Sequence, residues 1–544
     1  MTGRMGPFIC GIGMRMAMET AKYRTRNTSD GLKTIFIALF LLFFVSTSIA
    51  SPDVQKVGED DVKRAIKLAD RQIRRGGLAE AETILKKALE LRPNDSSAKL
   101  KLAFVYVKMR RLLDAYELCF PIAKEEPKNA YAFAVLGATM LNAGRFREAR
   151  LFFVNSIKLD RSEALAWAGI GMVDFYENGI GESLANLQEA VYHAPMEADF
   201  HYALAQVSAR AEKYKEAAEA YEDFLRVSKN ADDERRERIK GLINFLRFLG
   251  GKQALYQTGG ASFTKVPFEL IGNRPIVNMR LNGRDQEFKF VLDTGSGISV
   301  ISDETAKALG IKPITKGGFA KGIGGDGKFQ IIYGFVREMG IGDVVIRSVP
   351  VYIRKFHSDG KIDGYIGLSM ISKFLTTVDY GSQSFILQKR EDNMDDVPVA
   401  DGISLPLRLT SSGFLSGEVQ LEGIDTPLNF IVDTGASVSV ISDEIANHNA
   451  MAPFARDEKM RVIGSAGITE DVPSFLLPRI SFGSHSRKSI TAIALDLDLI
   501  NEASGFEQAG ILGGNFLRNY RMTFDFKKSK VTFVSVNADP DPEK

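Results

Sequence analysis

The sequence predicts a multidomain chain in which an all-α solenoid precedes two duplicated all-β units. Three observations carry this. Shifted by 34 residues, the first half superposes on itself; shifted by 140 residues, the second half does; and between them the composition changes from helix-forming runs to short β-branched runs separated by glycine. With 544 residues, 45% hydrophobic and 25% charged, the chain is long enough for several buried cores and ordinary in its balance. Lys plus Arg is 70 against 68 for Asp plus Glu, which leaves no broad basic footprint for a nucleic acid. The two cysteines, Cys10 and Cys119, cannot build a disulfide framework or a four-thiolate zinc site within one chain.

Residues 1–50 read as an address. Ile35 to Val45 is an unbroken apolar run that follows Lys33 and ends in Ser48-x-Ala50. It is shorter than the ~20 residues a membrane span needs and suits a signal-peptide core. Cleavage after Ala50 is expected, with a retained anchor as the alternative. The protein is accordingly expected to be exported, periplasmic or secreted, or held by a single N-terminal anchor in the membrane.

Residues 62–231 hold five repeat units. One column of the self-match is Leu68-Ala69, Leu102-Ala103, Leu136-Gly137, Ile170-Gly171 and Leu204-Ala205; a second is Ala81, Ala115, Ala149, Ser183 and Ala217; a third contains Pro93, Pro127 and Pro195. Small residues at two fixed points let antiparallel helices pack closely, and proline ends the second helix of a unit. This pattern resembles the tetratricopeptide repeat, with Trp167 and Ala149-x-x-x-Phe153 on its aromatic and second-helix positions. The resemblance implies a concave surface for a protein partner, a spacer or dimerisation role being the alternative. Ile239, Leu242, Ile243, Leu246 and Leu249 predict a helix capping the solenoid, which with a glycine linker fills residues 232–262.

The two β units are residues 263–390 and 403–536, joined by an acidic linker at 391–402. Residues 290–304 read FVLDTGSGISVISDE and residues 430–444 read FIVDTGASVSVISDE, identical at ten of fifteen positions. Each is completed by an apolar-apolar-glycine segment, Tyr365-Ile366-Gly367 and Ile511-Leu512-Gly513. Together these motifs resemble the retropepsin-like aspartic proteases, twice over. The resemblance implies that the two units form a pseudo-two-fold pair, an aspartic endopeptidase in which Asp293 and Asp433 face each other across the axis and activate a water on a peptide bond, with no metal or cofactor. Thr294 and Thr434 are then expected to tie the halves together, and Gly295 and Gly435 to turn the backbone so that amides point at the carboxylates. Two carboxylates this close share one proton, one acting as base and the other as acid.

The position after each Asp-Thr-Gly differs, Ser296 against Ala436. A hydroxyl donating to a carboxylate favours its ionised form, so Asp293 is expected to be the base and Asp433 the proton carrier. The resemblance also places substrate-covering flaps at Gly322, Gly324, Gly325 and Gly327 and at Gly464 and Gly467. The Gly322–Gly327 run matches a dinucleotide fingerprint in form, but strand rather than helix follows it. The five histidines contain no H-E-x-x-H, and no G-x-S-x-G is present, so metalloprotease and serine hydrolase readings lose. Asp303 and Asp443 are expected to cap short helices. The rival to an enzyme is a peptide-binding scaffold that keeps the fold without cutting. The solenoid and the β units are expected to separate, a fragment from about residue 255 folding alone.

Overall fold

The computed structural model describes residues 52–228, 233–325, 328–356, 362–390 and 402–536. The N-terminal address, the 391–401 segment of the acidic linker and Gly327 lie outside them. Among the described residues no helix is long and apolar enough to cross a membrane.

The helices Pro52–Arg74, Leu78–Leu91, Ser96–Lys108, Leu112–Glu125, Ala130–Asn142, Phe146–Leu159, Ala164–Tyr176, Ile180–His193, Ala198–Arg210 and Tyr214–Val227 stack as antiparallel pairs. The repeat columns lie where the helices touch: Ala69, Ala103 and Ala205 from the first helices and Ala81, Ala115, Ala149, Ser183 and Ala217 from the second are fully buried. Phe153 shows why the third unit has glycine in its first column. Its ring lies between the backbones of Gly137 and Gly169, and a Cβ on Gly137 would stand 2.7 Å from it. Gly137→Ala is therefore expected to destabilise the protein by about 1–3 kcal/mol through overpacking, although alanine is the better helix former; a urea melt checks the sign. Cys119 is a buried core residue of this stack.

The β half is built around a six-stranded sheet shared by both units, in the order Gly402–Pro406, Lys530–Ser535, Tyr520–Asp525, Phe374–Asp379, Ser384–Lys389 and Phe263–Pro267. At its centre Phe374–Asp379 of the first unit pairs antiparallel with Tyr520–Asp525 of the second, and the equivalent hydroxyls of Thr377 and Thr523 meet at 2.9 Å. Equivalent residues in contact mark a two-fold axis, so the two units pair within the one chain. Above this base each unit adds its own sheet, nine-stranded in the first and ten-stranded in the second.

The helical and β halves are joined far more closely than their composition suggests. Helix Asp233–Gly250 does cover the end of the solenoid with Ile239, Ile243 and Leu246. Its Phe245 and Leu249 enter the core of the β half, where Phe245 stacks on Tyr333 at 4.4 Å and Phe248 meets Phe335 at 5.5 Å. The Gly259-Gly260 stretch is no linker but part of an edge strand, Gln257–Gly260, paired with Val344–Arg347; Gly260 has φ +73, which glycine adopts without penalty. From the second unit, Phe506 is buried in the solenoid core, edge-on to Phe146 at 4.8 Å and to Tyr176 at 4.9 Å. Arg210 lies over the Phe175 ring at 3.8 Å and donates to the carbonyls of Thr410 and Ser411. These contacts contradict the expectation of separable halves: a fragment starting near residue 255 would expose Tyr333, Phe335 and Phe506 to water.

Candidate active site

Strands Glu287–Leu292 and Leu428–Val432 each end in three buried apolar residues, Phe290-Val291-Leu292 and Phe430-Ile431-Val432. Each lies parallel to the apolar-apolar-glycine strand of its own unit, Gly364–Ile366 or Gly510–Leu512. That pairing runs one residue past the strand end: Asp293 N donates to Ile366 O at 3.1 Å and Asp433 N to Leu512 O at 2.9 Å. Both aspartates are thereby delivered to the two-fold axis at matching heights. Gly367 and Gly513 then pass so close to the Ile298 and Val438 backbones, 2.6 Å from a would-be Cβ, that only glycine fits.

The threonines lock the two turns together. Thr294 Oγ1 donates to Val432 O and Thr434 Oγ1 to Leu292 O, both at 2.6 Å. Each hydroxyl oxygen in return accepts the backbone N–H of the other threonine, Thr434 N at 3.0 Å and Thr294 N at 3.1 Å. All four groups are buried, so breaking one leaves an unsatisfied partner.

Gly295 N donates to Asp293 Oδ1 at 3.0 Å and Gly435 N to Asp433 Oδ1 at 2.7 Å. A side chain at Gly295 would stand 2.5 Å from the Asp433 carboxyl carbon, and one at Gly435 would stand 2.7 Å from Asp293 Oδ1. Each carboxyl group thus rests on the glycine of the other unit, which sets the two side by side. Burial, then the adjacent Asp433 charge and a hydrogen bond given to it, hold the Asp293 carboxyl well above the ordinary carboxylate range. Burial raises Asp433 too, but the bond from Asp293 and the amides of Gly435, Ala436 and Gly295 favour its ionised form. Both carboxyl groups are held above the ordinary range, and the pair shares one proton.

The ground for the assignment expected from Ser296 is absent: its hydroxyl donates to Ile298 O at 2.7 Å and serves the turn, not the carboxylate. Ser296→Ala is expected to leave both limbs of a pH–rate profile in place while lowering stability by about 1 kcal/mol, the net worth of one hydrogen bond; a shifted limb would contradict that geometry. Asp303 and Asp443 are likewise not the caps. Ser302 and Ser442 accept the capping N–H groups of Thr305 and Ile445, and the aspartates open the helices.

The candidate flaps are two hairpins, Thr315–Lys321 with Lys328–Ile341 and Ala455–Ile463 with Ile468–Leu477. Their tips interlock: Ala466 N donates to Ile323 O at 2.8 Å, Gly325 N to Ile468 O at 3.2 Å and Ile323 N to Ser465 Oγ at 3.2 Å. Gly322, Gly324, Gly325, Gly464 and Gly467 all lie in this contact, where backbones approach too closely for a Cβ. The first hairpin is also held from outside, since Gly241 of helix Asp233–Gly250 sits on the Lys316 backbone and Lys328 pairs with Glu234 at 3.0 Å.

Sequence reasoning missed three participants. Ser299 and Ser439 are buried and accept the N–H of Gly367 and Gly513, each at 3.1 Å; their identity in both copies was the available signal. Arg354 lines the cleft beside Asp293, its guanidinium 4.8 Å from the Phe329 ring and its Nε buried without a partner. Strand register gives its counterpart in the second unit as Leu495, because Arg354 lies opposite Ser302 and Leu495 opposite Ser442. Leu495 belongs to an apolar cluster with Ile431, Val440 and Ile493, so the two-fold axis relates a basic wall to an apolar one.

Residues 277–370 and 417–516 match the aspartyl protease family model, and residues 72–138 match that of the tetratricopeptide repeat. The chain carries an aspartyl-protease-type domain in two segments behind a tetratricopeptide region. No curated protein matches it. Among solved structures, a thermophilic tetratricopeptide protein of Thermus thermophilus is 18% identical, covering 34% of this chain and 98% of its own at a TM-score of 0.30. PilF of Pseudomonas aeruginosa is 16% identical over 36% and 89% at a TM-score of 0.27. MamA of Desulfovibrio magneticus is 21% identical over 32% and 98% at a TM-score of 0.23. At TM-scores this low the resemblance carries no functional conclusion.

Proposed function

We propose that the protein is an aspartic-type endopeptidase that hydrolyses peptide bonds with a water activated between Asp293 and Asp433. The observation that supports this most is the pair itself: two carboxyl groups from two duplicated turns, each resting on the other's glycine and holding one proton between them. Asp433, the ionised member, takes a proton from the water as its oxygen attacks the carbonyl carbon. Asp293 gives its proton to the carbonyl oxygen, so the tetrahedral intermediate forms without a free oxyanion. When the C–N bond breaks, the proton gained by Asp433 leaves on the amine, and Asp293 recovers its own from the collapsing hydroxyl.

The reading is tested by incubating the full chain with a mixed peptide library from acidic to neutral pH and sequencing the products. New internal termini are expected; an untouched library would leave the scaffold reading. Because the two units pair within one chain, mixing Asp293→Asn with Asp433→Asn protein should not restore cleavage. The tetratricopeptide region is read as binding polypeptide. The protein is inferred to be exported by residues 1–50, and N-terminal sequencing of the mature chain should begin at Ser51; a retained leader in the membrane fraction would mean an anchor.

A further inference from the structure

The concave face of a solenoid ordinarily offers a partner site of its own. Here it does not stand alone. One continuous cavity of about 1640 Å³ is lined by Asp293 and Asp433, by the flap tips, and by Phe104, Leu165, Met172 and Phe200 from the inner helices of the solenoid. That exceeds the ~300–1,000 Å³ of a small-molecule pocket. A folded partner seated on the concave face would occupy the way to the dyad, so the two surfaces serve the same guest.

The wall also has a sign. It carries nine Lys and Arg side chains against six Asp and Glu, the dyad included. Several acids are already committed: Asp199 is paired with Lys108, and Asp363 accepts from Thr305 Oγ1 and Lys289 N. Lys108, Lys289 and Arg461 are paired with acids, but three other cations of the wall are not. Arg235 lies over the Tyr202 and Phe224 rings at 5.0 and 5.1 Å, Arg238 reaches only a carbonyl, Phe319 O, at 3.5 Å, and Arg354 stands beside Asp293 with its Nε unpartnered. None of the three has an ion pair among the described residues.

Resting on the peptidase reading, we infer that the inner face of the solenoid is the outer part of the substrate site, and that it takes an extended, acidic stretch of the polypeptide being cut. Apolar solenoid side chains cover its backbone and side-chain stems. Arg235 and Arg238 on the helix that closes the solenoid meet carboxylates far from the scissile bond, and Arg354 meets one next to it. The extended form follows from the reach of the cavity, which runs from the dyad and the flap tips to the inner helices of the solenoid.

The test uses full-length Asp433→Asn protein and fluorescein-labelled peptides read by anisotropy. All share one core peptide that is also offered to the wild type as a substrate; some continue for about twelve residues, roughly 40 Å when extended, rich in Glu, Gln or Lys. The acidic extension is expected to tighten Kd at least tenfold over the core alone, and the gain to shrink with salt. The Gln extension should gain little and the Lys extension nothing. Arg235→Gln with Arg238→Gln should erase the gain, and Arg235→Glu with Arg238→Glu should hand it to the Lys extension; unchanged far-ultraviolet dichroism and melting show that the variants fold. Equal Kd for core and extended peptides, or equal gains from Glu and Lys, would overturn the inference. The acidic extension without its core, used as competitor, binds on this account even if no peptide is ever cut. Its failure to compete counts against the chamber alone, and an uncut core counts against the peptidase alone.

Discussion

Asp293→Asn and Asp433→Asn are each expected to lower kcat about 10³-fold or more, because an amide can neither take the proton of the water nor give one to the carbonyl oxygen. KM should change little, since binding is spread over the cleft. Stability should move the other way. The folded-state pKa of Asp293 lies well above its ordinary value, through burial and then the charge of Asp433. A carboxyl raised on folding opposes folding once pH exceeds its unfolded value of about 3.9. Asn removes that cost, so Asp293→Asn should be the more stable protein in urea at neutral pH and lose its advantage below about pH 3.9. Substantial turnover in either variant, or a variant less stable at neutral pH, contradicts the shared-proton arrangement.

Phe506→Ala is expected to cost about 3–5 kcal/mol, the range for emptying a buried aromatic site. The side chain is buried between Phe146 and Tyr176 and is the main apolar anchor of the second unit in the solenoid. Nearby bonds add to the joint: Glu507 N to Asn142 O at 2.9 Å, and Asn178 Nδ2 to Ser529 Oγ at 2.9 Å and Phe526 O at 3.0 Å. The substitution should therefore lower the unfolding midpoint of both halves together in a urea melt. Two separate transitions, only one of them moved by the substitution, would mean the halves fold independently.

The elements that sequence made legible are those that repeat. Small-residue columns exposed the solenoid because every helix pair needs the same close approach, and Ala81, Ala115, Ala149, Ser183 and Ala217 are buried for that reason. The Asp-Thr-Gly turns were legible because the same constraints act twice. What was hidden depends on contacts made once. Nothing in the pattern around Phe506 distinguishes a residue buried in a neighbouring domain from one buried in its own. Gly259 and Gly260 read as linker because glycine is common in both linkers and strands that bring backbones together, and here Asp343 O meets Gly260. Ser296 misled because a hydroxyl next to a carboxylate in sequence can equally serve the backbone of its own turn, and here it donates to Ile298 O. Arg354 was invisible because it breaks the duplication, with Leu495 in the matching register.

The two-fold relation of Arg354 to Leu495 also bears on how the cleft reads a substrate. On the peptidase reading, a basic wall on one side of the dyad and an apolar wall on the other are expected to give a bound peptide one preferred direction, whereas a symmetric pair of identical chains would accept either.

The most direct measurement of the central claim is the pH dependence of kcat/KM for one peptide cut by the full chain. The active form holds one proton between Asp293 and Asp433, so the rate should fall at low pH, where both are protonated, and again at higher pH, where the shared proton is lost. Because burial and the Asp433 charge raise Asp293, the upper limb should lie well above the ordinary carboxylate range. A bell with those two limbs, absent from Asp293→Asn and Asp433→Asn, is the predicted result. A single-limbed profile, or one unchanged by either substitution, would contradict it.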